Sequence, residues 1–181
     1  IWDPSRISKS PAIFDPLKLR AINAAYIRAL PAEEFRRLAD PFIDSAVHCD
    51  IDRDLLCANL QPRCEVLEDI PPQLDFFDAV LPIDAEMYRN KKQKTTPESA
   101  KEALTALLPV LEAQTDWSRD AIFEACKTLA EQLEKKNGWL LFPLGIALSG
   151  KARTPGGGTD LAAMMGREET LKRVKGALGK L

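Results

Sequence analysis

Residues 139–166 read Trp-Leu-Leu-Phe-Pro-Leu-Gly-Ile-Ala-Leu-Ser-Gly-Lys-Ala-Arg-Thr-Pro-Gly-Gly-Gly-Thr-Asp-Leu-Ala-Ala-Met-Met-Gly. The apolar run from Trp139 to Leu148 reads as a helix that ends at Ser149 and Gly150. A polar turn with two cations, Lys151 and Arg153, follows. A Thr-Pro step at Thr154 and Pro155 leads into Gly156, Gly157 and Gly158. The next helix is expected to be capped by Thr159 and to stop at Gly166. Such a turn exposes backbone N–H groups beside positive charge and close to a helix N-terminus, which suits an anionic or nucleic-acid partner. The same residues also fit a plain connector between two helices, and this stretch alone does not separate the two readings.

Working outward, the rest of the chain repeats helical signals. Asp15 is placed to cap a helix with Pro16 at its first position, and Leu19, Ile22, Tyr26 and Leu30 recur at helical spacing. Pro31 begins a second helix through Phe35 and Leu38, and Asp40-Pro41 is expected to restart another. Asp52 can cap a helix carrying Leu55, Leu56 and Leu60, which Pro62 interrupts. Pro71-Pro72 opens a short apolar helix with Leu74, Phe76 and Phe77. Residues 88–96 are polar and basic and read as a linker, closed by a capping box of Thr95 and Glu98. Beyond it, Leu104, Leu107, Leu108 and Leu111 mark one helix. Asp116 or Ser118 starts the next, through Ile122, Phe123, Cys126, Leu129 and Leu133, with its end at Asn137-Gly138. Leu171, Val174 and Leu178 mark the last. No alternating strand pattern of useful length is present. The expected class is therefore all-α, in two consecutive helical subdomains: 1–90, with an N-terminal junction segment 1–14, and 91–181.

The chain has 181 residues, of which 45% are hydrophobic, enough for a real core. No run approaches the roughly 18 apolar residues of a membrane span, so no membrane partner is expected. The sequence shows no signal peptide and starts at Ile1 rather than Met, as a piece of a longer chain would. Cys49, Cys57, Cys64 and Cys126 lack paired spacing, which fits a reduced, cytoplasmic setting. The net charge of −2 hides a strong polarity along the chain. Residues 50–88 carry ten acids against two bases, Arg53 and Arg63. Residues 89–101 carry five bases against Glu98, and residues 150–181 carry seven bases against three acids. A nucleic-acid partner would be steered to the last two segments and repelled by the first.

Several residue sets invite a chemical reading. Ser5-Arg6-Ile7-Ser8-Lys9-Ser10 mimics the Lys-Met-Ser-Lys-Ser loop that class I aminoacyl-tRNA synthetases use on ATP phosphates. That loop works beside a nucleotide-binding α/β domain with a His-Ile-Gly-His type signature, and this chain has a single histidine, His48. Lys9 is kept as a candidate contact to an RNA backbone. His48, Cys49, Cys57 and Cys64 resemble a metal set, but Pro62 falls between the last two and there is no Cys-x-x-Cys pair, so buried free cysteines and no metal are expected. No Gly-x-Ser-x-Gly turn accompanies the histidine, and Asp50, Asp52 and Asp54 read as helix-cap and first-turn acids. Arg63 follows the helix-breaking Pro62 in an acidic neighbourhood. An arginine held at a helix end presents a rigid two-pronged donor to a base edge or a phosphate. The competing assignment is a salt bridge to Glu65, Asp54 or another nearby acid.

These residues together resemble the C-terminal, anticodon-binding half of a bacterial-type glutamyl-tRNA synthetase. Three blocks carry the resemblance, in the family's order and over nearly the whole chain. The first is Ser5 to Asp15, followed by Leu17-Lys18-Leu19-Arg20 and Asn23-Ala24-Ala25-Tyr26-Ile27-Arg28. It is similar to the family's Arg-Val-Ser-Lys-Ser-Pro-Ala-Phe-Asp, Lys-Leu and Asn-x-x-Tyr-Ile-Arg segment. The second is Pro62-Arg63 with Leu67 and Phe76-Phe77. The third is the 139–166 stretch with Met165-Gly166-Arg167-Glu168, similar to the family's Pro-Leu-Arg-x-Ala-Leu-Ser/Thr-Gly, Thr-Pro-Gly and Leu-Gly-Lys/Arg-Glu.

The resemblance implies two α-helical subdomains that clasp the anticodon arm of tRNA(Glu). It implies that the intact enzyme joins glutamate to that tRNA with ATP and magnesium in a catalytic domain before Ile1. This chain by itself would bind neither cofactor and hold no catalytic residue. A monomer is expected, with no DNA partner. Arg63 falls where the family reads the third anticodon base, and arginine there implies the discriminating type that accepts only tRNA(Glu). Ser149, Thr154, Pro155, Gly156 and Gly157 fall in the family's second anticodon-contacting turn. The family's Pro-Leu-Arg reads Pro143-Leu144-Gly145 here, so an arginine is missing, and Lys151 or Arg153 is the candidate replacement on phosphates. The turn also looks one residue longer, with Gly157 and Gly158 in place of a bulky apolar residue. The alternative function is a helical protein-interaction or structural module that keeps the scaffold without binding RNA.

Overall fold

The computed structural model describes residues 15–181, so Lys9 and the Ser5–Ser10 segment lie outside the described residues. Within them the chain is all-α. Helices α1 (Pro16–Ala29), α2 (Ala32–Asp44) and α3 (Arg53–Leu60) come first, and α4 (Pro97–Ala113), α5 (Arg119–Gln132), α6 (Asn137–Ser149) and α7 (Gly158–Leu178) close the chain. Short 3-10 turns at Gln61–Arg63, Leu67–Asp69, Pro71–Gln73 and Ala85–Tyr88 fill the interval between α3 and α4. The only extended pairing among the described residues is an isolated bridge between Asn90 and Thr95.

Helix α6 decides the architecture. Trp139, Leu140, Leu144, Ile146, Ala147 and Leu148 are all buried, so the helix is covered over most of its circumference, leaving Gly138, Leu141, Phe142 and Gly145 half-buried on one face. It packs against α4, α5 and α7. Gly150 terminates it in the left-handed region, at φ 70°, where a Cβ would also sit 2.7 Å from the Leu81 carbonyl oxygen. Gly158 lets α7 start against α6: a Cβ there would lie 2.6 Å from the Leu141 carbonyl oxygen. The α7 run bends at Gly166, which has φ 74° and leaves helical geometry where the sequence breaks the pattern.

Caps follow local chemistry. Asp15 accepts from the N–H groups of Leu17 and Lys18, and Asp52 accepts from Leu55. Ser118, not Asp116, caps α5. Four boundaries differ from the sequence expectation. The capping box before α4 is Thr96 with Ser99, one residue later than Thr95 with Glu98, because Pro97 takes the first helical position and Thr95 pairs with Asn90. Helix α2 runs through Pro41 instead of restarting there, because Phe35, Ala39 and Ile43 bury one continuous face on both sides of it. Helix α5 ends before Asn137-Gly138. Glu134 turns left-handed at φ 54° and Lys135 N–H reaches back to the Ala130 carbonyl, so Asn137-Gly138 opens α6. Thr159 is inside α7, buried, and the cap position belongs to Gly157, whose N–H donates to the Asp160 carboxylate at 2.7 Å.

One continuous cluster of buried apolar side chains extends from Ile27 to Ala177. Polar bonds seam residues before the 90–95 turn to residues after it. Asp52 N–H donates to the Met164 carbonyl at 3.0 Å. Arg173, with its side chain 2% exposed, donates to the carbonyls of Phe76, Phe77 and Leu148 at 2.5–2.7 Å and to Glu169 at 2.7 Å.

Candidate nucleic-acid interface

Pro62 deprives the end of α3 of a helical N–H, and the chain tightens into the 3-10 turn Gln61–Arg63. Gln61 anchors that turn by donating to the carbonyls of Ile27 and Leu30 at 3.0 and 2.8 Å. Cys64, next along, is buried. Arg63 is thereby held at an exposed corner between two fixed neighbours. Its Nη1 donates to the carbonyls of Thr154 and Pro155, each at 3.4 Å. The acids that competed for it in the sequence are engaged elsewhere. Arg20 pairs with Glu65 and Asp69, and Arg36 pairs with Asp54.

The 151–157 turn and the Arg63 side chain that touches it border a cleft of about 600 Å³. Arg63, Lys151, Arg153, Thr154, Gly156 and Gly157 all line it, so residues some ninety positions apart meet there. Its floor is apolar, from Phe123, Leu141 and Phe142. Gly145 also lines it, and a Cβ at that position would find nothing nearer than Gly158 at 3.8 Å. Gly145 thus packs α6 against the start of α7 at ordinary van der Waals distance, on the wall of the cleft.

Three of the expected contact residues, Ser149, Pro155 and Gly156, are buried. Ser149 is fully buried, and its hydroxyl donates to the Gly145 carbonyl at 2.7 Å and accepts from Lys151 N–H at 3.0 Å. Lys151 lines the cleft, but its ammonium donates to the Pro72 carbonyl at 2.9 Å and pairs with Asp75. That leaves Arg153, which is exposed and makes no ion pair among the described residues, as the cation of the turn open to a ligand. Thr154 folds its hydroxyl onto the Gly156 carbonyl at 2.5 Å and shapes the turn from within.

Arg119, in the first turn of α5, is a cleft residue that the sequence reading missed. It donates to Asp160 at 3.1 Å and to Asp120 at 2.8 Å, and its guanidinium lies 5.5 Å from the centre of the Phe123 ring. Asp160 thus receives both Arg119 and the Gly157 N–H, and ties the cleft wall to the glycine turn. No spacing rule links residue 119 to residue 160, so only the packing of α5 on α7 could reveal the pair.

The other candidate chemistry does not assemble. Cys57, Cys64 and Cys126 are buried and unpaired. Burial pushes the Cys57 and Cys64 thiols up to about 11, so they stay protonated at neutral pH. His48 and the Cys49 backbone are held by Asp78, which accepts from both N–H groups and from the imidazole. No helix among the described residues is long and apolar enough to cross a membrane.

Fold and cleft define a helical domain with an open, cation-rimmed recess in its later part, which Arg63 reaches from the earlier part. The family described as "Anticodon binding domain" matches residues 21–178, and the chain belongs to that family. Glutamate–tRNA ligase of Clostridium botulinum is 45% identical over 175 residues, 97% of this chain and 36% of that protein. The Clostridium tetani glutamate–tRNA ligase is 42% identical over 180 residues, 99% of this chain and 37% of that protein. The chain thus spans little more than a third of the length of these relatives. Among solved structures, a glutamate tRNA ligase from Elizabethkingia meningosepticum has the same fold, with a TM-score of 0.83 at 24% identity over 99% of this chain and 35% of that one.

Proposed function

We propose that this chain is the anticodon-binding region of a glutamate–tRNA ligase of the discriminating type. The intact protein would join glutamate to tRNA(Glu) in the cytoplasm, as a monomer, using ATP and magnesium held by a domain outside this chain. Residues 1–90 and 91–181 would act as the two jaws, with Arg63 on one and the 151–157 turn on the other. Unstacked anticodon bases would enter the cleft, where polar side chains and backbone groups read their edges and Phe123 and Phe142 provide apolar surface beneath. Arg63 would read the third anticodon base. Arg153 would hold phosphate in place of the arginine missing at Gly145, while Arg119, Ser149, Pro155 and Lys151 would hold the cleft wall and the turn in shape.

The observation that carries this reading is the placement of Arg63. It sits in an acidic stretch, yet Glu65 and Asp54 are paired with other arginines, and its contacts are two long bonds to the turn opposite. An arginine bound this loosely can exchange carbonyls for a base edge at small cost. The test is Arg63→Gln in the full-length protein. The ratio of charging of tRNA(Glu) to tRNA(Gln) should fall by the equivalent of about 1–3 kcal/mol, the worth of one bidentate base contact. Unchanged ratios would remove Arg63 from base reading.

A further inference from the structure

The turn at 90–95 borders the cleft and presents cations that the proposed function has not used. Asn90 and Thr95 exchange backbone hydrogen bonds at 3.0 and 3.1 Å, and the Asn90 side chain accepts from the N–H groups of Lys92 and Gln93 at 3.0 and 3.1 Å. Buried Tyr88 and Thr95 root the turn in the core on either side. Lys91, Lys92 and Lys94 are exposed at its tip. Gln93 lines the cleft and lies against Gly138, where a Cβ would fall 1.7 Å from its Oε1. That contact brings the tip beside the α5–α6 loop, which carries exposed Lys135 and Lys136. Lys135 lies over the Trp139 ring at 5.6 Å.

None of these five lysines forms an ion pair among the described residues, and neither do Glu131, in the last turn of α5, and Glu134, in the loop after it. Elsewhere on the surface Arg20, Arg36, Arg37, Arg53, Arg89, Lys127, Lys172 and Lys175 are paired with carboxylates. Exposed Lys18, Arg28, Lys101 and Lys180 also lack an ion pair among the described residues, so what sets this patch apart is the gathering of five such lysines on two adjoining loops beside the cleft. Lys94 holds φ 56°, a left-handed conformation that disfavours a side chain and favours glycine. Glu134 adopts the same conformation at the end of α5, so at Lys94 the geometry serves only to make glycine a tolerated replacement.

We infer that the 91–94 tip and Lys135–Lys136 form a phosphate track at the rim of the cleft, over which the RNA backbone leaves the base-reading recess. This rests on the reading of the cleft as an RNA site. The partner is a nucleic-acid backbone rather than an anionic membrane, because the patch adjoins a recess of base-accepting size and has no apolar side chain at its tip to insert into lipid. Its contribution is independent of sequence: it adds affinity and salt dependence, and no preference among anticodons.

The experiment titrates the 181-residue chain with a tRNA(Glu) transcript and with an anticodon-substituted transcript across a range of salt. Neutralising Lys91, Lys92 and Lys94 to Ser together should weaken binding of both transcripts roughly tenfold at low salt and flatten the slope of log affinity against log salt by about 2. The ratio between the two transcripts should not move. Lys172→Gln, which removes a charge paired with Glu169 away from the cleft, is the matched control and should change neither quantity. Lys94→Gly should weaken binding while leaving the melting temperature equal or higher, an outcome that a purely structural lysine could not give. A wild-type salt slope in the triple variant overturns the track, even if the wild-type chain distinguishes the two transcripts. Loss of slope in a chain that distinguishes neither transcript leaves the track standing and overturns the anticodon reading. Loss of binding to phosphatidylserine vesicles with unchanged RNA binding would make the patch a membrane surface and overturn the proposal. No RNA binding by the wild-type chain at low salt overturns both readings.

Discussion

Two arginines reach across the molecule, and they do opposite things. At the back seam, Arg173 is sealed from solvent and donates to three carbonyls and a carboxylate at 2.5–2.7 Å. At the front seam, exposed Arg63 makes two bonds to carbonyls at 3.4 Å, long for hydrogen bonds. Both bond to main-chain oxygens at the far side of the 90–95 turn. The back contact removes a charge from water and so must be fully satisfied; the front contact leaves the charge hydrated and available. The fold is fastened at one seam, which allows the other to stay open for a ligand.

Breaking the back seam should have the largest effect. Arg173→Ala strands three buried carbonyls and the Glu169 carboxylate, and should lower stability by about 3–5 kcal/mol. Chemical denaturation checks this, and a loss below about 1 kcal/mol would mean that water replaces the guanidinium freely. At the front seam, Arg63→Gln should change stability by no more than about 0.5 kcal/mol, as an exposed substitution does. Its effect should fall on recognition instead. A large drop in melting temperature for this variant would erase the contrast between the seams. Lys151→Ala should fall between the two, at about 1 kcal/mol, because it removes one charge-assisted bond to Pro72 and a partly exposed pair with Asp75. It should weaken RNA binding by loosening the turn without altering the salt slope; a shallower slope would place Lys151 on phosphate after all.

The smallest effect concerns acid. Burial alone would raise Glu169, but hydrogen bonds from Lys172 and Arg173 more than offset it and hold the carboxyl below its ordinary value. A carboxylate lowered in the folded state contributes stability that is present above its unfolded value and lost as pH falls through the folded one. The melting temperature should therefore decline on acidification through that window. Glu169→Gln should flatten the decline. An identical pH profile in that variant would assign the acid sensitivity to other carboxylates, such as Asp78, whose bonds from His48 and Cys49 also hold it low.

Much of this was legible in the chain because it depends on neighbours close in sequence. Asp15-Pro16, Asp52, Ser118 and Gly150 declare helix ends through side chains and backbone conformations within a few residues of the boundary. Arg63 could be singled out because Pro62 breaks the helix beside it. The misplaced boundaries have two causes. At Pro41 a buried face overrode the local signal, whereas at Thr95, Asn137 and Thr159 one local contact displaced another: the Asn90–Thr95 bridge, the Lys135 N–H to the Ala130 carbonyl, and the Gly157 N–H to Asp160. The site was less legible. Ser149 and Lys151 have the residue types of RNA contacts, yet burial and Asp75 engage them within the fold, while Arg119 carried no motif and lines the cleft.

The sequence by itself determined the all-α class and the order of the helices, because periodicity and capping are local properties; that Arg63 and the 150–157 turn belong to one site was implied only by the family resemblance. Tertiary structure alone decided which arginine is sealed and which is open, and which acids pair with which bases. It also decided that Gly145 lies on the wall of the cleft and that the basic turn lies beside it. Pairing between charges distant in the chain depends on how helices pack in three dimensions, and no spacing along the sequence encodes it.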